Sequence, residues 1–159
     1  MTVATREAPD FSTQERDFSQ VDKRRLVTAL SRVLPAHGLL HDPEDLRPYE
    51  CDGMSALRQL PLVVALPDTE AQVVEILRIC AAQQVPVVAR GAGTGLSGGA
   101  QPHRFGMVLS LARFKKILRI DAHARRAVVQ PGVRNLAISE AAAPFGLYYA
   151  PDPSSQIAC

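Results

Sequence analysis

Two short apolar runs separated by an amphipathic stretch dominate the middle of the chain. Leu62–Leu66 is an uninterrupted apolar run that a proline ends, a pattern typical of a strand buried on both faces. Thr69 and Gln72 have the spacing of a capping box, and the helix that they open is predicted to end near Gln84. The apolar face of this helix comprises Val73, Ile76, Leu77 and Cys80. A second strand is predicted at Val85–Ala89, and a strand–helix–strand unit of this length makes the two strands parallel.

The residues before this unit divide into a helix and a connection. Asp22–Leu34 has apolar side chains at helical spacing, and it predicts an amphipathic helix that Pro35 and Gly38 end. His41–Leu60 is polar, contains two prolines and predicts a connection without regular structure.

The residues after the unit alternate between strand and helix patterns. Gly106–Leu111 predicts a third strand. Leu118–Asp121 and Arg126–Gln130 predict a hairpin. Asn135–Ala143 predicts a helix that a proline and a glycine end, and Leu147–Ala150 predicts one more strand.

Composition favours one globular domain, or one domain and part of another. Of the 159 residues, 47% are hydrophobic and 21% are charged, with a net charge of +2. This apolar content with so little net charge excludes a disordered chain. No apolar run approaches the ~18 residues that a membrane span needs. The basic excess is too slight to indicate a nucleic-acid partner.

The cysteines and the two ends of the chain bear on location and completeness. Cys51, Cys80 and Cys159 have no zinc-site spacing and no disulfide framework, so no metal site is predicted and a reducing compartment is favoured. Met1–Gln20 lacks the apolar segment of a secretory signal and predicts a frayed tail, so we expect a cytoplasmic protein. Four residues follow Ser155, where a Pro/Ser loop normally leads into another element, so we expect a truncated piece of a longer protein.

A glycine-rich loop at Arg90–Ala100 carries the most specific chemistry in the chain. Five of the ten glycines lie here, directly after a predicted strand. Glycine reaches positive φ readily and lets a ligand approach the backbone, so successive N–H groups of such a loop can form an anion-binding nest. Thr94 and Ser97 add hydroxyl donors, Arg90 adds a positive charge, and the loop contains no acid. These features favour binding of a phosphate or diphosphate; the alternative is a flexible surface turn.

Two familiar phosphate motifs do not fit this loop. A P-loop needs a lysine that is absent here, which disfavours a nucleoside triphosphatase. Gly93–Gly98 matches the G-x-G-x-x-G pattern of a dinucleotide-binding Rossmann fold, and Asp121 follows at a suitable distance. That pattern must open a helix, however, and the next predicted element is a strand. The match is therefore interpreted as a coincidence.

Three segments in this order resemble a known family. They are PVVARGAGTGLSGGA (Pro86–Ala100), VVQPGV (Val128–Val133) and PDPSS (Pro151–Ser155). The chain from about Tyr49 to Cys159 resembles FAD-linked oxidases of the vanillyl-alcohol oxidase/p-cresol methylhydroxylase type. Within that family it is most similar to the branch of glycolate oxidase FAD-binding subunits and D-lactate dehydrogenases.

The resemblance implies an α+β fold. Residues 61–159 would form the FAD-binding domain, truncated at its C-terminal side, after a tail at 1–20 and a helix and connection at 21–60. This domain would comprise a first subdomain with a small parallel sheet and helices, and the start of a second, antiparallel subdomain.

The resemblance also implies which residues bind FAD. They are Arg90, Gly91, Ala92, Gly93, Thr94, Gly95, Leu96, Ser97, Gly98, Pro131, Gly132, Val133, Pro151, Asp152, Ser154 and Ser155. The Arg90 side chain would either contact the ligand or support the loop, and Asp152 would either cap the backbone or face the flavin. Some relatives attach FAD covalently through a histidine in the glycine loop. This loop has none, and His103 lies beyond it, so non-covalent FAD is expected.

The activity implied for the parent protein is oxidation of a 2-hydroxy acid such as glycolate or D-lactate to the 2-oxo acid. Other oxidase subunits are expected partners, and the sequence identifies neither the base nor the carboxylate clamp. The alternative is a non-catalytic FAD- or nucleotide-binding module, or an inactive fragment that lacks the substrate cap.

Overall fold

A computed structural model describes residues 17–151 and 157–158. Its larger sheet has four strands: β1 (Leu39–Leu40), β2 (Val63–Ala65), β3 (Val87–Arg90) and β4 (Met107–Ser110). Their order across the sheet is β1-β2-β4-β3. Strands β2 and β3 both pair with β4 in parallel, and β1 pairs with β2 antiparallel. The predicted parallel direction of β2 and β3 is confirmed, with β4 lying between them.

In the described part of the chain, four helices accompany the sheet, together with three short 3-10 turns. The helices are α1 (Lys23–Leu30), α2 (Pro43–Leu46), α3 (Glu70–Ala82) and α4 (Asn135–Ala142), and the turns are Ala36–Gly38, Arg47–Tyr49 and Ala143–Phe145. The capping box of α3 is confirmed, because the Thr69 hydroxyl accepts from the Gln72 N–H and the Gln72 side chain accepts from the Thr69 N–H.

Two predicted boundaries are wrong before β2. Helix α1 ends at Leu30, four residues short of the predicted end, although Leu34 is still buried in the turn that follows. The predicted connection at His41–Leu60 contains α2 and a 3-10 turn. Pro43 favours the start of α2, because proline fits the first position of a helix. The buried side chain of Leu46 explains why this polar stretch has regular structure at all.

The core lies on both faces of the larger sheet, as the continuous apolar runs predict. Helices α1 and α3 cover one face. That side of the core contains Leu26, Leu30, Val63, Ala65, Ile76, Cys80, Met107 and Leu109. On the other face, Leu46 packs with Val64 and Val108. Leu77, predicted on the apolar face of α3, is 43% exposed, because the covered stripe of the helix centres on Ile76 and Cys80.

The predicted hairpin is confirmed as a separate two-stranded sheet. Strands β5 (Ile117–Asp121) and β6 (Arg126–Val129) pair antiparallel. The predicted strand at Leu147–Ala150 is wrong: the segment has no strand partner in the described structure, and the Tyr149 N–H instead donates to Ser139 Oγ on α4 at 3.1 Å. No helix in the described ranges is long and apolar enough to cross a membrane.

Candidate functional site

The glycine loop begins at the carboxyl end of β3. The loop that follows the neighbouring strand β4 lies beside it, because the Leu111 N–H donates to the Arg90 carbonyl at 3.1 Å. Carboxyl ends of parallel strands are where open α/β sheets bind ligands. Residues 91–106, all described, contain no helix. The structure therefore confirms that the Rossmann-like pattern at Gly93–Gly98 does not open a helix.

The glycine loop is exposed, and at two positions its backbone adopts a conformation that favours glycine. Gly93 and Gly98 have φ of 75° and 74°, the left-handed region that side chains disfavour. Thr94, Gly95 and Ser97 are exposed to solvent. Main-chain N–H groups and hydroxyls of the loop can therefore be reached by a ligand.

The Arg90 side chain turns back into the protein. Its Nη1 donates to the Cys51 carbonyl at 2.7 Å, and its Cζ lies 5.6 Å from the centre of the Tyr49 ring. A Cβ on Gly93 would lie 2.7 Å from Arg90 Nε and still closer to the guanidinium carbon. Of the two roles left open by the sequence, these contacts favour support of the loop.

The segment around Gly53 lies directly beneath the loop, and sequence reasoning missed it. The Gly53 N–H donates to the Gly95 carbonyl at 2.9 Å, and a Cβ on Gly53 would lie 2.7 Å from the Thr94 carbonyl oxygen. Asp52 is buried; its Oδ1 accepts from the Met54 N–H at 2.9 Å, whereas its Oδ2 has no hydrogen-bond partner among the described residues. The only sequence signal was a glycine within a polar connection.

The second predicted segment, Pro131–Val133, is held against the loop that follows β4. The Gly132 N–H donates to the Phe114 carbonyl at 2.8 Å. A Cβ on Gly132 would lie 2.7 Å from the Leu111 carbonyl oxygen and 2.8 Å from that of Phe114. Glycine is therefore required at this position for close backbone approach, although its φ is ordinary.

A cavity of about 560 Å³ brings these two segments together. It is lined by Gly91, Ala92, Pro131, Gly132 and Val133, and by Ala112, Lys115, Arg134, Ala137 and Ala158. Its volume is typical of a small-molecule or cofactor site. Two of the lining residues are cationic, and none of the described lining residues is acidic.

The other predicted site residues lie outside this cavity or outside the described structure. Gly93–Gly98 continue from the cavity wall along the exposed loop, and Pro151 is exposed. Asp152, Ser154 and Ser155 lie outside the described residues. In the described ranges, no group of three or more histidine, cysteine, aspartate or glutamate side chains could hold a metal ion.

Lys115 and Arg134 are the charged lining residues that sequence reasoning missed. Lys115 lies in the basic stretch between β4 and β5, and its neighbour Lys116 has the same side chain. Arg134 follows the Pro131–Val133 segment directly. Only their position at the cavity distinguishes Lys115 and Arg134 from the other basic residues of the chain.

The donors around the cavity fit a diphosphate. Main-chain N–H groups of a glycine-rich loop, two cationic side chains and a described lining without carboxylates all favour a dianionic ligand. The fold and this site indicate a protein of the α+β class that binds a phosphate-bearing cofactor. Residues 61–159 match a family model described as an FAD binding domain, and the chain belongs to this family, whose cofactor is FAD.

Known proteins similar to this chain agree with that assignment. The glycolate oxidase subunit GlcD of Escherichia coli (strain K12) is 59% identical over 139 residues, which are 87% of this chain and 28% of that protein. The D-lactate dehydrogenase of Archaeoglobus fulgidus is 38% identical over 96 residues, which are 60% of this chain and 21% of that protein.

A solved structure shows the same fold. The crystal structure of p-cresol methylhydroxylase with substrate bound matches 78% of this chain and 25% of its own, with a TM-score of 0.70 and 24% identity. The predicted fold class and family resemblance are confirmed. This chain spans only about a quarter of the length of these proteins.

Proposed function

We propose that this chain supplies the diphosphate-binding part of the FAD site in a flavin-dependent oxidoreductase. The parent enzyme would oxidise a 2-hydroxy acid, such as glycolate or D-lactate, to the 2-oxo acid. The observation that carries the proposal is the cavity in which Gly91 and Ala92 meet Pro131–Val133 beside two cations. The names of the relatives, a glycolate oxidase subunit and a D-lactate dehydrogenase, support the substrate class.

The glycine loop would hold FAD chiefly through its backbone. Exposed N–H groups between Gly91 and Gly98 would donate to the diphosphate oxygens, with the Thr94 and Ser97 hydroxyls as further donors. Pro131–Val133 would form the facing wall. Pro151, Asp152, Ser154 and Ser155 complete the set of residues that we propose to line the FAD site.

Bound FAD would supply the redox chemistry, accepting the two electrons that the 2-hydroxy acid loses from its α-carbon. The chain's own contribution would be to bind and orient the cofactor. No carboxylate or histidine is among the described residues that line the cavity, so the proposal assigns no proton abstraction to them.

FAD would be held without a covalent bond. The glycine loop contains no histidine. His103, the nearest in sequence, packs its ring against Phe18 and Phe105 at centroid distances of 5.3 and 6.0 Å, and its Nδ1 accepts from the Phe105 N–H. The imidazole is therefore packed against other residues of the chain, and it does not line the cavity.

The setting we propose is a multi-subunit oxidase in the cytoplasm. The Escherichia coli relative is by name a subunit, which supports further oxidase chains as partners. The free thiols of Cys51 and Cys80 support a reducing compartment.

The test is to purify the protein encoded by the whole reading frame and to examine its flavin. We expect a yellow protein whose flavin absorbance corresponds to about one FAD per chain. Acid precipitation should release the FAD into the supernatant. Anaerobic addition of glycolate or D-lactate should bleach the flavin band, whereas acetate, which lacks the hydroxyl, should not. A colourless protein would refute FAD binding, and bound flavin that no 2-hydroxy acid bleaches would favour the non-catalytic module.

A further inference from the structure

Charge is distributed unevenly around the cavity that joins the glycine loop to Pro131–Val133. Lys115 and Arg134 are its two charged lining residues, and no acid is among the lining residues that the structure describes. Two nearby arginines have acidic partners away from the cavity. Arg113 pairs with Asp68 at 3.1 Å, and Arg119 lies 3.6 Å from Asp121.

We propose that Lys115 and Arg134 are the cationic contacts for the FAD diphosphate and make the site selective for ligands that carry this group. This inference rests on the proposed function and adds the residues that neutralise the ligand's charge. Backbone N–H groups are neutral dipoles, so they orient a diphosphate without cancelling its net charge. Fixed positive charges beside the cavity add to the attraction of the loop's N–H groups and neutralise the charge of the ligand.

The backbone on both sides of Lys115 is fixed by hydrogen bonds. The Phe114 N–H donates to the Leu111 carbonyl at 3.0 Å, and the Phe114 carbonyl accepts from Gly132. Lys116 is held by Gln130, whose side chain accepts from the Lys116 N–H and whose N–H donates to the Lys116 carbonyl, each at 2.9 Å. These bonds tie Lys115 to the wall that contains Gly132.

Arg134 is placed by the same wall. It follows the Pro131–Val133 turn, in which the Val133 N–H donates to the Gln130 carbonyl at 3.1 Å, and it precedes α4 directly. Its guanidinium makes a long contact, 3.5 Å from Nη1 to the Ile157 carbonyl. The Arg134 side chain can therefore reorient towards an anion at small cost.

The adjacent lysines provide a matched test. Lys115→Met removes a charge at the cavity, and Lys116→Met removes the same charge from the next residue, which does not line it. Both lysines are exposed, so neither substitution disturbs the core. Dissociation constants would be measured on the protein from the whole reading frame, stripped of flavin, by flavin fluorescence at low and high salt.

We expect Lys115→Met to weaken FAD binding about 10-fold or more, as loss of one charge-assisted contact implies, and to flatten its salt dependence. Lys116→Met should bind FAD like the wild type, and Lys115→Arg should retain most of the affinity. Arg134→Met should repeat the Lys115→Met result. Riboflavin, which has no phosphate, should bind the wild type and Lys115→Met equally, whereas ADP should compete less well in the variant.

Wild-type FAD affinity in both Lys115→Met and Arg134→Met would overturn the inference while leaving the proposed function intact. Equal losses in Lys115→Met and Lys116→Met would also overturn it, because they would indicate a diffuse effect of net charge. Failure of the wild type itself to bind FAD would refute the proposed function and this inference with it.

Discussion

Alanine at Gly93 should destabilise the protein, whereas alanine at Gly95 should leave its stability almost unchanged. Gly93 has φ of 75°, and a non-glycine residue held there costs about 1–2 kcal/mol. The new Cβ would also lie 2.7 Å from Arg90 Nε, so the guanidinium must move away from Cys51 and Tyr49. Because Arg90 is a flexible side chain, this displacement adds no more than about 1 kcal/mol. The expected total is about 2 kcal/mol.

Gly95 lies in the same loop without either constraint. Its φ is not in the left-handed region, and a Cβ there would have no described atom within 4 Å. Gly95→Ala should therefore change the free energy of unfolding by less than about 0.5 kcal/mol. If the diphosphate approaches this stretch of backbone, the same Cβ should nevertheless lower FAD affinity.

Thermal unfolding and flavin titration together measure this difference. For a domain of about 150–250 residues, about 2 kcal/mol corresponds to a fall in Tm of roughly 4–8 °C, which we expect for flavin-free Gly93→Ala. Gly95→Ala should keep the wild-type Tm and lose FAD affinity. Equal Tm values for the two variants would refute the argument from φ and Arg90, and wild-type FAD affinity in Gly95→Ala would separate the loop from the diphosphate.

Three further predictions concern the core, a helix cap and a thiol. Ile76→Ala empties a fully buried site on α3 and should lower the free energy of unfolding by about 2–5 kcal/mol. Leu77 is 43% exposed, so Leu77→Ala should lower it by less than about 1 kcal/mol. Equal losses in a urea titration would contradict the assigned faces of α3. Thr69→Ala removes the hydroxyl that accepts from the Gln72 N–H and should cost about 1 kcal/mol in the same titration, and an unchanged urea midpoint would show that the capping box contributes nothing. Burial raises the pKa of the Cys80 thiol from 9.0 to about 11. The stability that the buried neutral thiol contributes should therefore be complete below pH 9.0 and disappear as the pH rises towards 11. Cys80→Ala should lack this part of the alkaline loss of stability, and identical stability–pH profiles for the variant and the wild type would disprove the prediction.

Local features of the fold could be predicted because their causes lie close together in the sequence. The Thr69–Gln72 capping box involves residues three apart, and the continuous apolar character of β2 reflects burial on both of its faces. The hairpin of β5 and β6 is likewise a contact between neighbours in the chain. The failed strand at Leu147–Ala150 shows the limit of this reasoning, because a strand needs a partner that composition does not supply.

The candidate site likewise combines features that the sequence determines with features that depend on long-range contacts. The amino-acid sequence alone determined the chemistry of the glycine loop, since a run of glycines after a buried strand is a property of consecutive residues. Tertiary structure decided that the Arg90 side chain donates to the Cys51 carbonyl, 39 residues away in the sequence. It also decided that Lys115 lines the cavity and Lys116 does not. The two side chains are chemically identical, and the backbone around them is held by bonds from Phe114 to Gly132 and from Lys116 to Gln130, which no local pattern encodes.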